Sequence, residues 1–474
     1  MKRLLLAGAC VVVGAARPAG GADDWPLWGG RPDRNAVSSE KGLPERWDPA
    51  KDVLWAADLG TETFSNPVVA GGRVFIGTNN GKPRDPAVGG DRGILMCFAA
   101  ADGKFLWQAV HDKLPTGSAE DWPKIGICST PGVAGDRVYY VSNRVELVCA
   151  DVEGFADGEN DGPFRDEART GPADADFVWI LDMRKELGVS PLHAAASSPL
   201  VVGDLVFVVT GQGVDEERRV VRNPAAPSFV AVDRRTGKVV WQDASPGDRI
   251  FSGQWGSPAL GIVEGRPQVA FPGGDGWLYA FEPETGRLIW KFNGRAHEKT
   301  KPDGKPETQN NFVATPVYAG HRVLIAVGDN PENGDSPGCL RAIDARGRGD
   351  VTGTHELWRL AGAEFGCSIS NAAVHEGLVY AAELGGFLSA VELETGKRLW
   401  RHDLLATVWG SPVVADGKVY LRTEDGTVVV FRAGREAKVL ATNTLPGLLN
   451  GTVTPSGGRL YIAGQKQLYA VGRR

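Results

Sequence analysis

The chain has 474 residues, 42% of them hydrophobic, and a net charge of −6 in which 52 basic and 58 acidic residues are interspersed. That is apolar content enough for a large core, and the absence of a long basic stripe excludes nucleic acid as a partner. The 63 Gly and 30 Pro suit many short strands joined by tight turns, and helical periodicity is scarce.

At the N-terminus, Lys2 and Arg3 precede an apolar run from Leu4 to Ala16. Small residues, Ala19-Gly20-Gly21-Ala22, then lead into Asp23-Asp24. This grammar predicts a cleavable secretory signal over 1–22 and a periplasmic or secreted mature protein. The run is shorter than the ~20 apolar residues of a membrane span, and nothing later in the chain reaches that length. Cys10 lies mid-run with no large aliphatic residue three positions before it, so the lipoprotein acylation pattern is not met. Five cysteines remain after the signal: Cys97, Cys128, Cys149, Cys339 and Cys367. An odd number leaves at least one thiol unpaired. No Cys-x-x-Cys-His and no zinc-spaced His/Cys cluster occurs.

A lead-in over 23–52 precedes the repeats of 53–474. Eight short runs mark those repeats: Asn66-Pro67-Val68-Val69, Thr130-Pro131-Gly132-Val133, Ser198-Pro199-Leu200-Val201, Ser257-Pro258-Ala259-Leu260, Thr315-Pro316-Val317-Tyr318, Asn371-Ala372-Ala373-Val374, Ser411-Pro412-Val413-Val414 and Gly451-Thr452-Val453-Thr454. Self-similarity at such a period marks a stacked-repeat architecture. Repeat seven is the cleanest copy. It has strand A over 411–414, an Asp416-Gly417 hairpin turn, strand B over 418–422, a turn at 424–426 and strand C over 427–431. Repeats three, four and six pass into strand D through Asp233-x-x-Thr236-Gly237-Lys238-x-x-Trp241, Glu282-x-x-Thr285-Gly286-Arg287-x-x-Trp290 and Glu392-x-x-Thr395-Gly396-Lys397-x-x-Trp400. In each, the carboxylate can accept from turn amides, Gly supplies the turn conformation, and the Trp offers a large apolar face whose N–H needs a partner. Repeat seven has Lys438-Val439-Leu440 where that Trp is expected. One short helix is predicted over 181–187, stopping at Gly188.

Four strands per repeat describe the blades of a propeller. The segment Val53–Leu59 reads as a D strand without its own A to C, and the last repeat, 451–471, has A to C and then ends. The expected fold is therefore all-β: an eight-bladed β-propeller of four-stranded antiparallel blades, its ring closed by pairing the N-terminal strand with the C-terminal repeat.

The unit Ser-Pro-x-Val…Gly-x-Val-Tyr…Gly-x-Leu-Tyr-Ala-x-(Asp/Glu)-x-x-Thr-Gly-(Lys/Arg)-x-x-Trp resembles the pyrroloquinoline quinone (PQQ) repeat. That repeat builds the eight-bladed, quinoprotein alcohol dehydrogenase-like propellers. The opening Asp24-Trp25-Pro26-Leu27-Trp28-Gly29-Gly30 looks like the lead-in of secreted bacterial members, planctomycete ones among them. The resemblance implies one of two activities. Dehydrogenases of the family oxidise alcohols or sugars, using quinone on a Trp platform, a calcium ion, a catalytic Asp and often a disulfide between adjacent cysteines. Non-catalytic relatives, such as the outer-membrane assembly lipoprotein, keep only the propeller. This chain has no adjacent cysteines, which favours a binding or scaffold protein for a protein or extracellular ligand. A short PQQ- and calcium-dependent dehydrogenase, with Trp255 or Trp409 as platform, is the alternative.

Loops joining D to the next A open at one end of the channel. Their candidate cofactor-binding residues are Trp255, Trp409, Asn311, Asn66, Ser129 and Cys367, with His193 nearby; they form either a ligand pocket or a plug. Within the repeat-two insertion, Asp157, Glu159 and Asp161 alternate before Gly162, and Glu167 follows. This resembles the front half of a calcium loop, although Glu167 falls one position early, and a solvated acidic turn is the alternative.

Overall fold

The computed structural model describes residues 24–217, 219–295, 311–328, 337–448 and 451–473. The segment expected to be a signal (1–22), with Cys10 in it, lies outside these. The described strands form eight sheets. Blade 1 consists of Val68–Ala70 (A), Arg73–Asn79 (B), Arg92–Ala99 (C) and Phe105–Asp112 (D), and successive blades repeat the order. Blade 8 is composite. Thr454–Ser456, Arg459–Ala463 and Gln467–Val471 supply A to C, and Val53–Asp58 pairs antiparallel with Gln467–Val471 as strand D. The closure expected from the two orphan halves is thus present.

Repeat eight sits one residue later than its sequence suggests. Thr454 pairs with Tyr461 as Val68 pairs with Phe75, so Thr452 takes the place expected for Gly451. The reason lies in hydrogen bonding, because that position needs a side-chain oxygen. The Asn66 N–H donates to Thr130 Oγ1, Thr130 to Ser198 Oγ, Ser198 to Ser257 Oγ and Ser257 to Thr315 Oγ1. Thr315 donates to Asn371 Oδ1, Asn371 to Ser411 Oγ, Ser411 to Thr452 Oγ1, and Thr452 back to Asn66 Oδ1. All eight bonds span 2.5–3.2 Å. They form a closed belt around the channel.

The outer rim uses a second interblade device. The Trp55 indole N–H donates to Ala100 O in the next blade, Trp107 to Val152 O, Trp179 to Arg234 O, Trp241 to Pro283 O, Trp358 to Leu393 O and Trp400 to Gly434 O. Beside the Trp, strand D slips one residue against strand C; Trp241 pairs with Ala231 while Val239 pairs with Val232. Such a bulge re-aims the side chain. The turn Gly of the following repeat receives the ring. A Cβ on Gly237 would lie 2.7 Å from Trp179, and one on Gly396 would lie 2.6 Å from Trp358. Both glycines have φ of +71°, so conformation and space demand the same residue. Within the turn, Asp233 Oδ1 accepts from the Arg235 and Thr236 amides, as its sequence predicts.

Blade 7 lacks the rim Trp, and Trp47 of the lead-in compensates. It is buried in the cluster between blades 7 and 8 with Tyr420, Val430, Leu460 and Tyr469. Its N–H backbone donates to Asn443 Oδ1 at 3.0 Å. The helix expected over 181–187 is shorter, Met183–Leu187, because Leu181 and Asp182 end the strand Phe177–Asp182. The Asp182 side chain caps it, and Gly188 ends it in the left-handed conformation.

The lead-in fills the channel. Trp25 exchanges main-chain bonds with Val69 of blade 1 (2.8 and 2.9 Å), and Pro26 O accepts from Val133 of blade 2. Pro32 O accepts from Leu260 and Asp33 O from Tyr318. The Asn35 side chain bonds both main-chain groups of Val374, and Ala36 O accepts from Val414. The Glu40 carboxylate takes the Gly457 and Gly458 amides of blade 8. Arg34 is fully buried and donates to Ser198 O (2.9 Å), Pro258 O (2.8 Å) and Trp28 O (2.8 Å). Residues 25–40 therefore touch every blade.

Replacing Arg34 by Met strands several buried carbonyls and is expected to cost roughly 3 kcal/mol or more, at about 1–3 kcal/mol for each group left unpaired. Arg31→Met, at an exposed ion pair, is expected to change stability by under ~0.5 kcal/mol. Urea midpoints of the two variants check the contrast. Trp358→Phe, which orphans Leu393 O, is expected to lower stability by about 1–2 kcal/mol in the same assay.

Candidate functional site

In each blade the loops from D to A and from B to C emerge at one end of the ring, and most long insertions are there. Two residues before the belt, Phe64, Cys128, Ala196, Trp255, Ile369 and Trp409 hold equivalent, half-buried positions. They form an apolar collar above the belt. Below it, the space between belt and lead-in amounts to about 10 Å³, bounded by Trp25, Trp28, Asn66, Thr130, Ser411 and Thr452. That is room for a single water. The lead-in, from below, is the plug.

The six channel-mouth candidates are brought to one end of the ring but do not build one pocket. Asn66 is spent in the belt. Ser129 Oγ donates to Ser197 O (2.8 Å) and accepts from the Val141 amide, so its role is to tie blade 2 to blade 3. Asn311 is buried; its side chain donates to Gly253 O, and its main chain pairs with Gly328. Cys367 is buried, and its carbonyl accepts from Leu384. The two tryptophans part company. Trp409 donates to Glu424 Oε2 (3.2 Å) and tilts against Phe64 with centroids 6.4 Å apart, whereas Trp255 packs on the cluster of Leu192, Val214, Val221 and Ile250. His193 stacks on Trp122 (5.0 Å) and bonds Ser118 O, which pins two loops together.

Cys97, Cys128, Cys149, Cys339 and Cys367 form no disulfide with one another. Burial pushes the Cys128 thiol up to about 12, far from a thiolate nucleophile. A buried acid–imidazole–hydroxyl chain exists at the blade 1–2 interface. His111 lies 3.3 Å from Glu146 through Nδ1 and 2.9 Å from the Tyr140 hydroxyl through Nε2. Tyr140 is sealed, and burial raises its hydroxyl well above the usual tyrosine range. The chain is a brace between blades, with no access for a substrate.

The calcium-loop candidates are dispersed. Asp157 Oδ1 accepts from the Glu159 amide, closing its own turn; Glu159 is exposed. Asp161 pairs with Arg137 at 2.9 Å. Among the described residues no three His, Cys, Asp or Glu side chains are grouped to hold a metal. Asp157, Glu159, Asp161 and Glu167 are thus not gathered into one group among the described residues; a turn amide engages Asp157 and Arg137 engages Asp161.

Among the described residues, open volume is found at the seam where blade 8 meets blade 1. Two adjoining clefts of about 580 and 550 Å³ share Thr61, Gly81 and Lys466. Charged groups of both signs line them: Asp58 and Lys82 in one, Glu62, Asp91 and Lys124 in the other. Burial raises the Glu62 carboxyl above its ordinary value, opposed by Lys466. No sequence motif pointed here, because the lining comes from loops of two blades that meet only on closure.

The family described as outer membrane protein assembly factor BamB matches residues 172–334 and 336–473. The chain belongs to this family of PQQ-repeat propellers. Solved structures agree on the fold. BamB from Moraxella catarrhalis is 16% identical, with 88% of this chain and 96% of that one covered at a TM-score of 0.54. The quinohemoprotein alcohol dehydrogenase ADHIIG from Pseudomonas putida HK5 is 13% identical, with 95% and 80% covered at 0.61. A curated 1-butanol dehydrogenase (cytochrome c) from Thauera butanivorans is 36% identical over 126 residues. That match spans 25% of this chain and 18% of the dehydrogenase. Among the described residues no helix is long and apolar enough to cross a membrane.

A pH prediction follows from the brace. Burial works to raise Glu146, but the His111 hydrogen bond and charge, with Arg144 and Ser142, win and hold it at about 2 against an ordinary 4.5. A lowered carboxyl contributes stability above 4.5 that is lost as pH falls toward 2. Glu146→Gln is expected to lower stability at neutral pH and to flatten the fall between those values, as read by urea midpoints across the range.

Proposed function

We propose that this protein is an exported, non-catalytic binding propeller that presents the loop-bearing end of its ring, at the blade 8–1 seam, to a protein partner. One observation carries the reading: among the described residues the surface seam holds clefts of about 580 and 550 Å³, while the space between belt and lead-in holds about 10 Å³. The clefts there carry charged groups of both signs on a lining that is otherwise mainly apolar, a mixture that suits recognition of a protein surface. Membership of the BamB family supports the same reading, as does the similarity to the structure named for that factor.

Quinone does not fit the residues present. The space between belt and lead-in holds about 10 Å³, Trp255 and Trp409 lie in separate packings, and the sequence has no adjacent cysteine pair. The second reading, a short dehydrogenase, is favoured by the 36% identity to the butanol enzyme over 126 residues.

Two experiments separate the readings. A photo-crosslinking residue at Lys82, Lys124 or Lys466 is expected to trap a protein partner in cells of the source organism, whereas one at Asp136, on the opposite end, is not. Equal trapping at both ends, or none at the seam, would count against the seam. Adding PQQ and calcium to the purified protein is expected to give neither co-eluting quinone absorbance nor dye reduction with alcohols and sugars; turnover would overturn the scaffold reading.

A further inference from the structure

Between strand C (Glu146–Asp151) and strand D (Phe177–Asp182) of blade 2, the chain makes a long excursion at the end of the ring opposite the seam. Two carboxylates in this region are unusual. Asp176 is 1% exposed. Its Oδ2 accepts the Asp161 amide at 2.7 Å, but its Oδ1 is buried with no hydrogen-bond partner. Glu167 has both carboxylate oxygens buried and neither is bonded. Three carboxylate oxygens are thus removed from water with nothing to replace it.

The nearby guanidinium groups are committed elsewhere. Arg137 serves Asp136, Asp151 and Asp161. Arg165 turns to Asn160 and to main-chain carbonyls, and Arg169 pairs with Asp85 and Asp174. Meanwhile the charges of Asp161, Glu167 and Asp157 all reach Asp176 and, after burial, raise its carboxyl. Asp151 next door is pushed up to about 6, first by burial and then by Asp161 and Asp157. A buried, unpaired carboxylate is strongly unfavourable, and a second beside it more so, unless a positive charge joins them.

We propose that Glu167 and Asp176 hold a hard divalent cation of the calcium class, which clips the blade-2 excursion to the edge of its blade. Two carboxylates with main-chain oxygens and water make an all-oxygen shell of the kind such a cation takes. Only two acidic side chains are needed, consistent with no three being grouped among the described residues. The ligand set differs from that of the sequence motif. Asp176, eight or more positions beyond it, replaces Asp157 and Glu159, whose groups face their own turn or solvent.

The test is the sign of one substitution under two conditions, made in the full chain. Glu167→Gln removes an unbonded buried charge and breaks no hydrogen bond. In EDTA it is expected to raise the melting temperature. In millimolar calcium chloride it is expected to lie below the wild type, because calcium raises the wild-type value by about 3–5 °C and the variant's hardly at all. Calorimetric titration of the EDTA-stripped protein with calcium chloride is expected to show one site, weakened at least tenfold by Glu167→Gln and by Asp176→Asn. Asp166→Asn, at an exposed neighbour, is expected to leave that affinity unchanged. No calcium heat together with an unshifted wild-type melting temperature would overturn the proposal. So would a Glu167→Gln variant that binds within twofold of wild type.

Discussion

Eight amide hydrogens ring the channel, and each is answered by a side-chain oxygen from the next blade. Each bond adds only about 1 kcal/mol net. Their consequence is geometric rather than additive. A bond in the belt can form only when two neighbouring A strands stand at one height and one spacing. The last, from Thr452 to Asn66, can form only when all eight blades are present and in order. Other ring features inherit that geometry. Six of the seven rim tryptophans find the carbonyls of the next blade because the hub has set the angle between sheets, whereas Trp290 bonds Gln268 of its own blade.

The lead-in depends on the same hub and strengthens it. A parallel set of short A strands leaves main-chain groups pointing into the channel, and such groups are costly when buried unpaired. Residues 25–40 supply partners to them in turn, and Arg34 collects carbonyls that no amide reaches. At blade 8 the pattern breaks, since Pro455 has no N–H to offer at the position of Val69. The chain contacts that blade through Glu40 instead. Trp47 then fills the blade 7–8 gap left by Leu440. One segment therefore both stoppers the channel and repairs the one interface whose repeat lacks its wedge.

For function, the same construction moves opportunity outward. With about 10 Å³ left between the N-terminal segment and the belt, the larger open volumes among the described residues are lined by loops. These are mounted on a rigid ring, which is where binding residues are best placed. The seam and the blade-2 excursion lie at opposite ends, and nothing requires them to act together. The similarity to a BamB structure and to a quinohemoprotein dehydrogenase is one of fold, and one fold can host unrelated functions.

Local spacing was enough for the blade. Asp233-x-x-Thr236-Gly237-Lys238-x-x-Trp241 encodes turn, glycine and wedge within nine residues, and Val53–Asp58 could be matched to the last repeat because each lacked what the other had. The site was not legible in this way. Asn66 and Ser129 looked like channel-mouth ligands, yet a Ser, Thr or Asn before a strand gives no hint of which backbone it will bond. Trp255 and Trp409 occupy equivalent repeat positions but turn to different neighbours, Trp255 to the cluster that includes Val214 and Val221 of the blade-3 insertion and Trp409 to Glu424 and Phe64. Arg34, Trp47 and Asp176 carry no periodic signal at all. The partners of Arg34 and Trp47 are remote in sequence, 164 and 224 residues from Arg34 and 396 from Trp47, and only the closed ring brings such groups together. Repeats specify how one blade meets the next; what fills the axis and the edges depends on contacts that exist only after closure.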